Sequence, residues 1–188
     1  MLMERTLVLV KPDGVVRALI GKIITAFEDA GLKIVALKMV KPTKELASRH
    51  YAEDKAWMES IGKKSLASYQ ASGIKVNQTA LEIGMRVRNS LMDYLVGNPV
   101  VCIVVEGNEA ISTVLKLVGS TSPHKADPAT IRGRYASDSY ALAESKKRAV
   151  RNIVHASDSK ENAEREIKVW FTDKEILKYE RADETAMY

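Results

Sequence analysis

The sequence predicts a domain of the α/β class, and three observations support this prediction. Two short runs, residues 7–10 and 100–105, are apolar on both alternations, which is typical of strands covered on both faces. Other apolar residues recur at helical spacing, so strands and helices alternate along the chain. The strand-helix-strand order occurs twice, which favours a ferredoxin-like βαββαβ fold: a four-stranded antiparallel sheet covered by helices, with the two apolar strands in the middle.

The first strand-helix-strand unit begins with the apolar run Arg5–Val10, which stops at a Lys-Pro-Asp-Gly turn. A helix over residues 20–27 follows, and Gly31 stands where a C-terminal cap belongs. Residues 33–40 are predicted to form the second strand. Thr43 is a good N-cap for a short helix after it.

The second unit begins with the strand over residues 100–105. A helix over 111–118 follows, and the stretch Ser120–Arg134 is predicted to be irregular. Residues 152–155 form a short strand, and Asp158 or Ser159 then caps the last helix. The apolar stripe of that helix consists of Ala163, Ile167, Trp170 and Phe171.

Two stretches interrupt this plan, at about residues 59–88 and 135–150. Amphipathic helical segments fill the first, and a basic cluster, 146–148, lies near the end of the second. No linker rich in Gly, Ser or Pro divides the chain. Residues 1–188 are therefore predicted to form a single domain.

Composition limits the class of protein. Of 188 residues, 46% are hydrophobic and 28% charged, which is typical of a globular protein rather than a disordered one. The longest apolar stretch, 100–105, is far too short to span a bilayer, and the N-terminus lacks a secretory pattern. We therefore expect no membrane partner. Cys102 lies inside that stretch, so we expect an inert buried thiol and a cytoplasmic location. The net charge of +5 favours nucleotides, nucleic acid or acidic surfaces without choosing among them.

Phosphate-binding loops of the common kinds are excluded. Six residues separate Gly14 from Gly21, where a P-loop needs four, and Ile23 stands where a magnesium-binding Ser or Thr belongs. Any phosphate binding must therefore come from side chains.

His155 is the candidate nucleophile among the three histidines. It closes a strand just before a helix N-terminus, where an anion is favoured, although an isolated histidine there is more often structural. Glu166, at the edge of the buried stripe, is a plausible partner that would fix the ring tautomer and leave the other nitrogen free. An ordinary solvated salt bridge suits Glu166 equally well. Lys11 and Arg132 are just as ambiguous when taken alone.

Four runs together resemble the nucleoside diphosphate kinase family. They are Val8–Val15, His50-Tyr51, Gly119–Gly133 and Asn152–Phe171. The most specific is Asn-x-x-His-x-Ser-Asp-Ser, at 152–159, followed by its matching helix. The resemblance covers nearly the whole chain apart from the two inserted stretches.

The resemblance implies a reversible, Mg²⁺-dependent transfer of the terminal phosphate from a nucleoside triphosphate, such as ATP, to a nucleoside diphosphate. His155 would carry the phosphate between the two half-reactions. The other roles that it implies are phosphate binding by Lys11, Arg132 and Thr121, sugar contact by Asn152, base stacking by Trp57, and support of the histidine by Tyr51, Ser157 and Glu166. The metal is expected to bind through the nucleotide phosphates, with no protein ligands. Family members are hexamers or tetramers, so a homo-oligomer is expected.

The chain departs from the family pattern at two positions near the phosphate. Ala156 stands where the family has glycine, and Leu115 where it has a phosphate-contacting arginine. Arg134 and Arg151 are candidates to restore the positive charge. These departures support one alternative, a catalytically weak nucleotide- or nucleic-acid-binding regulator on the same fold. The combination of a nucleophile with its orienting carboxylate, at His155 and Glu166, favours the enzyme. We also hypothesise that the first inserted stretch enlarges the nucleotide cleft or forms an oligomer contact.

Overall fold

The computed structural model describes residues 3–187, and the side chains of residues 3–186. Met1, Leu2 and Tyr188, which the predicted domain includes, lie outside the described residues. The strands are β1 (Met3–Val10), β2 (Lys33–Val40), β3 (Val100–Asn108) and β4 (Val154–Ala156).

The four strands form one sheet in the order β2-β3-β1-β4, and all three neighbouring pairs are antiparallel. The two apolar strands β1 and β3 lie in the middle, as predicted. The ferredoxin-like fold class is therefore confirmed. The last strand begins two residues later than predicted, at Val154, because Ile153 has a φ of +69° and leaves the extended conformation.

Ten α-helices and two short 3-10 helices, Pro123–Lys125 and Asp173–Glu175, are described between residues 12 and 187. The α-helices are α1 (Pro12–Val16), α2 (Ile20–Asp29), α3 (Lys44–His50), α4 (Lys55–Ala71), α5 (Ala80–Leu95), α6 (Ala110–Val118), α7 (Ile131–Tyr135), α8 (Tyr140–Ser145), α9 (Lys160–Trp170) and α10 (Glu184–Met187). None of these helices is both long enough and apolar enough to cross a membrane. Two predictions were wrong: the turn after Lys11 is the short helix α1, and α7 begins inside a stretch predicted to be irregular.

Helix caps follow the sequence signals. The Thr43 hydroxyl accepts a hydrogen bond from the Leu46 N–H at 3.2 Å, as its N-cap position predicts. Of the two candidates for α9, Ser159 is the cap, because its hydroxyl accepts from the Asn162 N–H at 3.1 Å. These caps fix where α3 and α9 begin, and both helices carry side chains of the site described below.

Apolar side chains cover both faces of the sheet. Alternate residues of β1 point to opposite sides: Val8 and Val10 pack with α2 and α6, whereas Leu7 and Leu9 pack with α3, α9 and the end of α5. All four are fully buried. Each contributes roughly 1.5–3 kcal/mol of hydrophobic stabilisation, so the sheet centre is a rigid platform for residues at its edge.

The two inserted stretches contact each other. Helices α4 and α5 form a hairpin so tight that a Cβ built on Gly62 lies 1.7 Å from the Ala80 carbonyl oxygen. Glu144 on α8 accepts hydrogen bonds from Tyr69 on α4 at 2.8 Å and from Arg86 on α5 at 2.6 Å. A buried carboxylate with these partners ties the second stretch to the first.

Candidate active site

The predicted nucleophile and its carboxylate partner are in contact. Strand β4 holds His155, and α9 holds Glu166. His155 Nε2 lies 2.7 Å from Glu166 Oε2, and the Ser157 hydroxyl donates to the same oxygen at 2.6 Å. Because the carboxylate engages Nε2, the nitrogen left for chemistry is Nδ1.

The Glu166 carboxylate is charged at neutral pH. Burial by itself raises its pKa, but the charge and hydrogen bond of His155, with the hydrogen bond from Ser157, lower the pKa to about 2. Arg165 donates to the second oxygen at 3.1 Å. Glu166 is therefore an acceptor that holds a hydrogen on His155 Nε2, and its side chain is itself buried.

Lys11 turns into the protein instead of leaving the core for water. Its side chain is buried, and Nζ donates to Asn152 Oδ1 at 2.7 Å. The pKa of Lys11 is lowered to about 7, mainly by burial and then by the nearby charge of Arg132. The carboxylate of Asp13 opposes this shift only in part. An ammonium group that is buried in this way has lost most of its hydration, so an anionic partner would stabilise it.

The Lys-Pro-Asp-Gly motif holds the backbone next to the nucleophile. The carbonyl of Ile153 accepts from the Lys11 N–H at 2.7 Å, and the N–H of Ile153 donates to Asp13 Oδ2 at 3.0 Å. A φ of +69° is strained for a β-branched residue, at a cost of about 1–3 kcal/mol. Gly14 is needed beside it, because a Cβ there lies 3.0 Å from the Ile153 carbonyl oxygen.

Arg132 also lies beneath the site. Its buried guanidinium donates to the carbonyls of Gly119 at 2.7 Å and Val154 at 2.8 Å. A guanidinium has five N–H donors, so these bonds fix it and leave donors for a ligand. The predicted phosphate-binding Thr121 is exposed, and its carbonyl accepts from Asn152 Nδ2 at 2.9 Å.

Two aromatic side chains of the predicted set, Tyr51 and Trp57, contact each other. Tyr51 is buried, and burial followed by the charge of Glu166 raises the pKa of its hydroxyl. The indole of Trp57, the residue predicted to stack on the base, lies stacked with Tyr51, with ring centroids 6.1 Å apart and planes 24° apart. The indole is half-buried, so part of its surface remains open.

The departures from the family pattern have different consequences. Ala156 lies in the extended strand β4, opposite Val8, so its extra methyl group causes no backbone strain. Leu115 is half-buried on α6 and brings no charge. Of the two candidates to restore that charge, Arg134 is exposed. Arg151 stacks on Tyr94 at 3.8 Å and helps to lower the pKa of Lys11, so it adds positive potential at the site.

The structure adds one residue to the predicted set, His50. A ring nitrogen of His50, one of His155 and an oxygen of Glu166 lie within 4.8 Å of one another, a possible metal-ligand group among the described residues. The Trp170 N–H donates to His50 Nδ1 at 3.2 Å, so the neutral ring carries its hydrogen on Nε2. Neither nitrogen then offers a free lone pair, and Mg²⁺ prefers oxygen ligands. The group does not fit a resident metal.

Known proteins match the chain over nearly its whole length. The family model described as "Nucleoside diphosphate kinase" matches residues 4–74 and 82–176. The nucleoside diphosphate kinase of Pyrobaculum aerophilum is 49% identical over 179 residues, which are 93% of this chain and 98% of the relative. That of Pyrococcus abyssi is 45% identical over 183 residues, 96% of this chain and 92% of the relative.

Solved structures give the same result. An NDP kinase from Pyrobaculum aerophilum has a TM-score of 0.90 at 46% identity. The match covers 94% of this chain and 100% of the solved chain. A nucleoside-diphosphate kinase from Borrelia burgdorferi, a transition state mimic with bound vanadate and ADP, has a TM-score of 0.83 at 39% identity over 99% of this chain and 97% of the other. Fold and matches define the protein as a nucleotide-binding phosphotransferase. The chain belongs to the nucleoside diphosphate kinase family, as its sequence predicted.

Proposed function

We propose that the protein transfers the terminal phosphate of a nucleoside triphosphate to a nucleoside diphosphate through a phosphohistidine at His155. The observation that carries this proposal is the 2.7 Å contact between His155 Nε2 and Glu166, which leaves Nδ1 for attack. The Nδ1 lone pair forms a bond to the γ-phosphorus, and the bond to the β-phosphate oxygen breaks. A nucleoside diphosphate leaves, and a second one then takes the phosphoryl group back by the reverse step.

Glu166 has a defined part in this step. As the N–P bond forms, the imidazole ring acquires positive charge, because its second nitrogen keeps a hydrogen. The ionised carboxylate next to that hydrogen stabilises the charge, and Ser157 holds the carboxylate in place. We place Tyr51 beside the ring as a buried neutral neighbour that excludes water.

Lys11 and Arg132 are the groups that we assign to the phosphates, with Thr121 at the exposed side. Phosphoryl transfer needs in-line positioning and positive charge around the equatorial oxygens rather than further covalent help. Both cations are buried and anchored to neighbours of His155: Lys11 to Asn152, and Arg132 to the Val154 carbonyl. They are therefore held in place before the nucleotide arrives.

The nucleoside and metal parts of the substrate follow from the same residues. Asn152, held between Lys11 and the Thr121 carbonyl, is assigned to the sugar hydroxyls. Trp57 is assigned to the face of the base, which suits a broad substrate class because a flat aromatic surface reads no base edge. Mg²⁺ enters as part of the nucleotide, bound to its phosphate oxygens.

A homo-oligomer, hexameric or tetrameric, is the assembly that we propose. Strand β2 lies at an edge of the sheet, and its Leu37 and Met39 are 53% and 58% exposed. Unpaired edge strands with exposed apolar side chains favour pairing with another chain. The free buried thiol of Cys102 suits the cytoplasm. Nucleic acid is not required as a partner. The weakly catalytic regulator is disfavoured, because relatives that match nearly the whole chain are named as nucleoside diphosphate kinases.

Label transfer tests the proposal. The protein is mixed with Mg²⁺ and γ-labelled ATP, separated from nucleotide, and divided between acid and base. We expect an acid-labile, base-stable phosphoprotein that loses its label to added GDP. His155→Ala should abolish labelling, whereas His124→Ala, at an exposed position of a short 3-10 helix, should not. An unlabelled wild-type protein, or an acid-stable label, would contradict the proposal.

A further inference from the structure

His50 lies beside the proposed nucleophile, and none of the steps above uses it. It ends helix α3 and is only 2% exposed. Its ring stands perpendicular to that of His155, at an interplanar angle of 88°, with centroids 4.6 Å apart. The two imidazoles are therefore in van der Waals contact across the gap between α3 and β4.

The ring of His50 is fixed and uncharged. Trp170, one helical turn after Glu166 on α9, donates its indole N–H to His50 Nδ1 at 3.2 Å. Burial holds the pKa of His50 well below its usual range, and the charge of His155 lowers it further. Helix α9 thus holds both histidines, one through Glu166 and the other through Trp170.

His155 needs a second constraint of this kind. The χ2 torsion of a histidine side chain is broad. A single hydrogen bond to Nε2 therefore leaves the imidazole ring some freedom to rotate. We propose that His50 is a positioning residue: its rigid neutral ring is a wall that keeps the His155 imidazole in the plane where Nε2 meets Glu166 and Nδ1 faces the nucleotide. This inference rests on the proposed role of His155 as nucleophile.

A proton relay through His50 does not fit the contacts. Nδ1 accepts from an indole N–H, which does not give up its proton at physiological pH. Nε2 is buried and has no hydrogen-bond partner among the described residues. Proton transfer therefore has no exit on either side of the ring. An unsatisfied buried N–H costs about 1–3 kcal/mol, so the imidazole is held at this position at a cost in stability.

Two variants separate a rigid wall from simple filling. Both are made in a Trp170→Phe background, so that no indole N–H is left without its acceptor. His50→Phe keeps a flat ring, whereas His50→Met has similar size but is flexible. Phosphorylation of His155 is followed in a single turnover at several MgATP concentrations. His124→Met, at an exposed position of a short 3-10 helix, is the matched control elsewhere in the chain.

We expect the Phe variant to react within about threefold of its background, and the Met variant about 10- to 100-fold more slowly, because misplacement of about 1 Å costs that much. The MgATP concentration giving half-maximal rate should stay within about twofold in both. Equal rates for Phe and Met would overturn the inference. Phe and Met variants that are both equally slow would also overturn it, because the imidazole itself would then be needed.

Nitrogen NMR of the His155 ring gives a second measurement if the Met variant does not fold. The background and the Phe variant should each show one tautomer, with hydrogen on Nε2; a mixture of tautomers in the Phe variant would contradict the wall. Failure of the proposed function looks different, because the wild-type protein would then acquire no label at all. A labelled wild type with unaffected His50 variants would refute only the positioning role.

Discussion

Replacing Lys11 by methionine should stabilise the nucleotide-free protein relative to wild type at low pH. This stabilisation should become smaller as the pH rises. The pKa of Lys11 falls from 10.5 to about 7 on folding, mainly through burial. Between these values the unfolded chain binds a proton that the folded protein lacks, so the contribution of Lys11 to stability rises with pH. Below pH 7 both states are protonated, and the full cost of the buried charge is present.

The magnitude follows from the shift. Each pKa unit corresponds to about 1.4 kcal/mol, so a fall from 10.5 to about 7 makes the buried charge cost about 5 kcal/mol well below pH 7. The difference in unfolding free energy between Lys11→Met and wild type should therefore fall by about 2 kcal/mol from pH 7 to pH 9. Below about pH 6 it should be flat. Loss of the Lys11 bond to Asn152 shifts the whole curve by a constant of about 1 kcal/mol.

Urea unfolding at fixed protein concentration, without nucleotide, at half-unit steps from pH 6 to pH 9 measures this difference. Lys64→Met is the matched control, because that side chain is exposed on α4. Its curve should parallel the wild type at every pH. The reasoning fails if the Lys11→Met difference is constant between pH 7 and 9, or if it grows with pH. The same variant should lose most of its phosphorylation rate, since a buried cation at the phosphate is gone.

Three further predictions concern the carboxylate, the missing arginine and the inserted hairpin. Glu166→Gln should lower the single-turnover phosphorylation rate about 10²-fold with little change in nucleotide affinity, and an unchanged rate would contradict its role. Leu115→Arg should lower the KM for MgATP about threefold to tenfold, with Lys116→Arg, on the exposed neighbouring position, as the control in steady-state kinetics. Gly62→Ala should destabilise the protein by more than about 2 kcal/mol in urea, because its Cβ would lie 1.7 Å from the Ala80 carbonyl oxygen; Gly21→Ala, where nothing lies within 4 Å, should not.

The sheet could be predicted because its central strands carry their own signal. A run that is apolar on both alternations has no solvent face, so β1 and β3 had to lie in the interior. Helix α1 could not be predicted, because Pro-Asp-Gly has the composition of a turn and the helix is only five residues long. The start of β4 was misplaced because nothing local indicates a left-handed Ile153; Asp13 and Lys11, distant in sequence, hold it there.

The site was predicted through local motifs, whereas its long-range contacts depend on the fold. The spacing of Glu166 in the stripe of α9 suggested a partner for His155, and the structure brings the two together. Nothing local shows that Lys11 turns inward to Asn152, since lysine at a strand end usually reaches water. His50 was missed for the same reason. Its contact with His155 joins α3 to β4, and helical periodicity on α3 carries no information about it.

Several unfavourable features lie together around the end of β4. Ile153 holds a left-handed backbone, His50 keeps a buried N–H with no partner in the part of the chain that the structure describes, and Lys11 holds a buried cationic group. Each costs on the order of 1–5 kcal/mol, against a net stability of about 5–15 kcal/mol for a typical domain. The apolar strands β1 and β3 offset these costs, because both are buried on two faces. Substitutions that remove the strained backbone or the buried charge here should therefore stabilise the fold and slow the reaction. Substitutions of exposed residues on α4 should do neither.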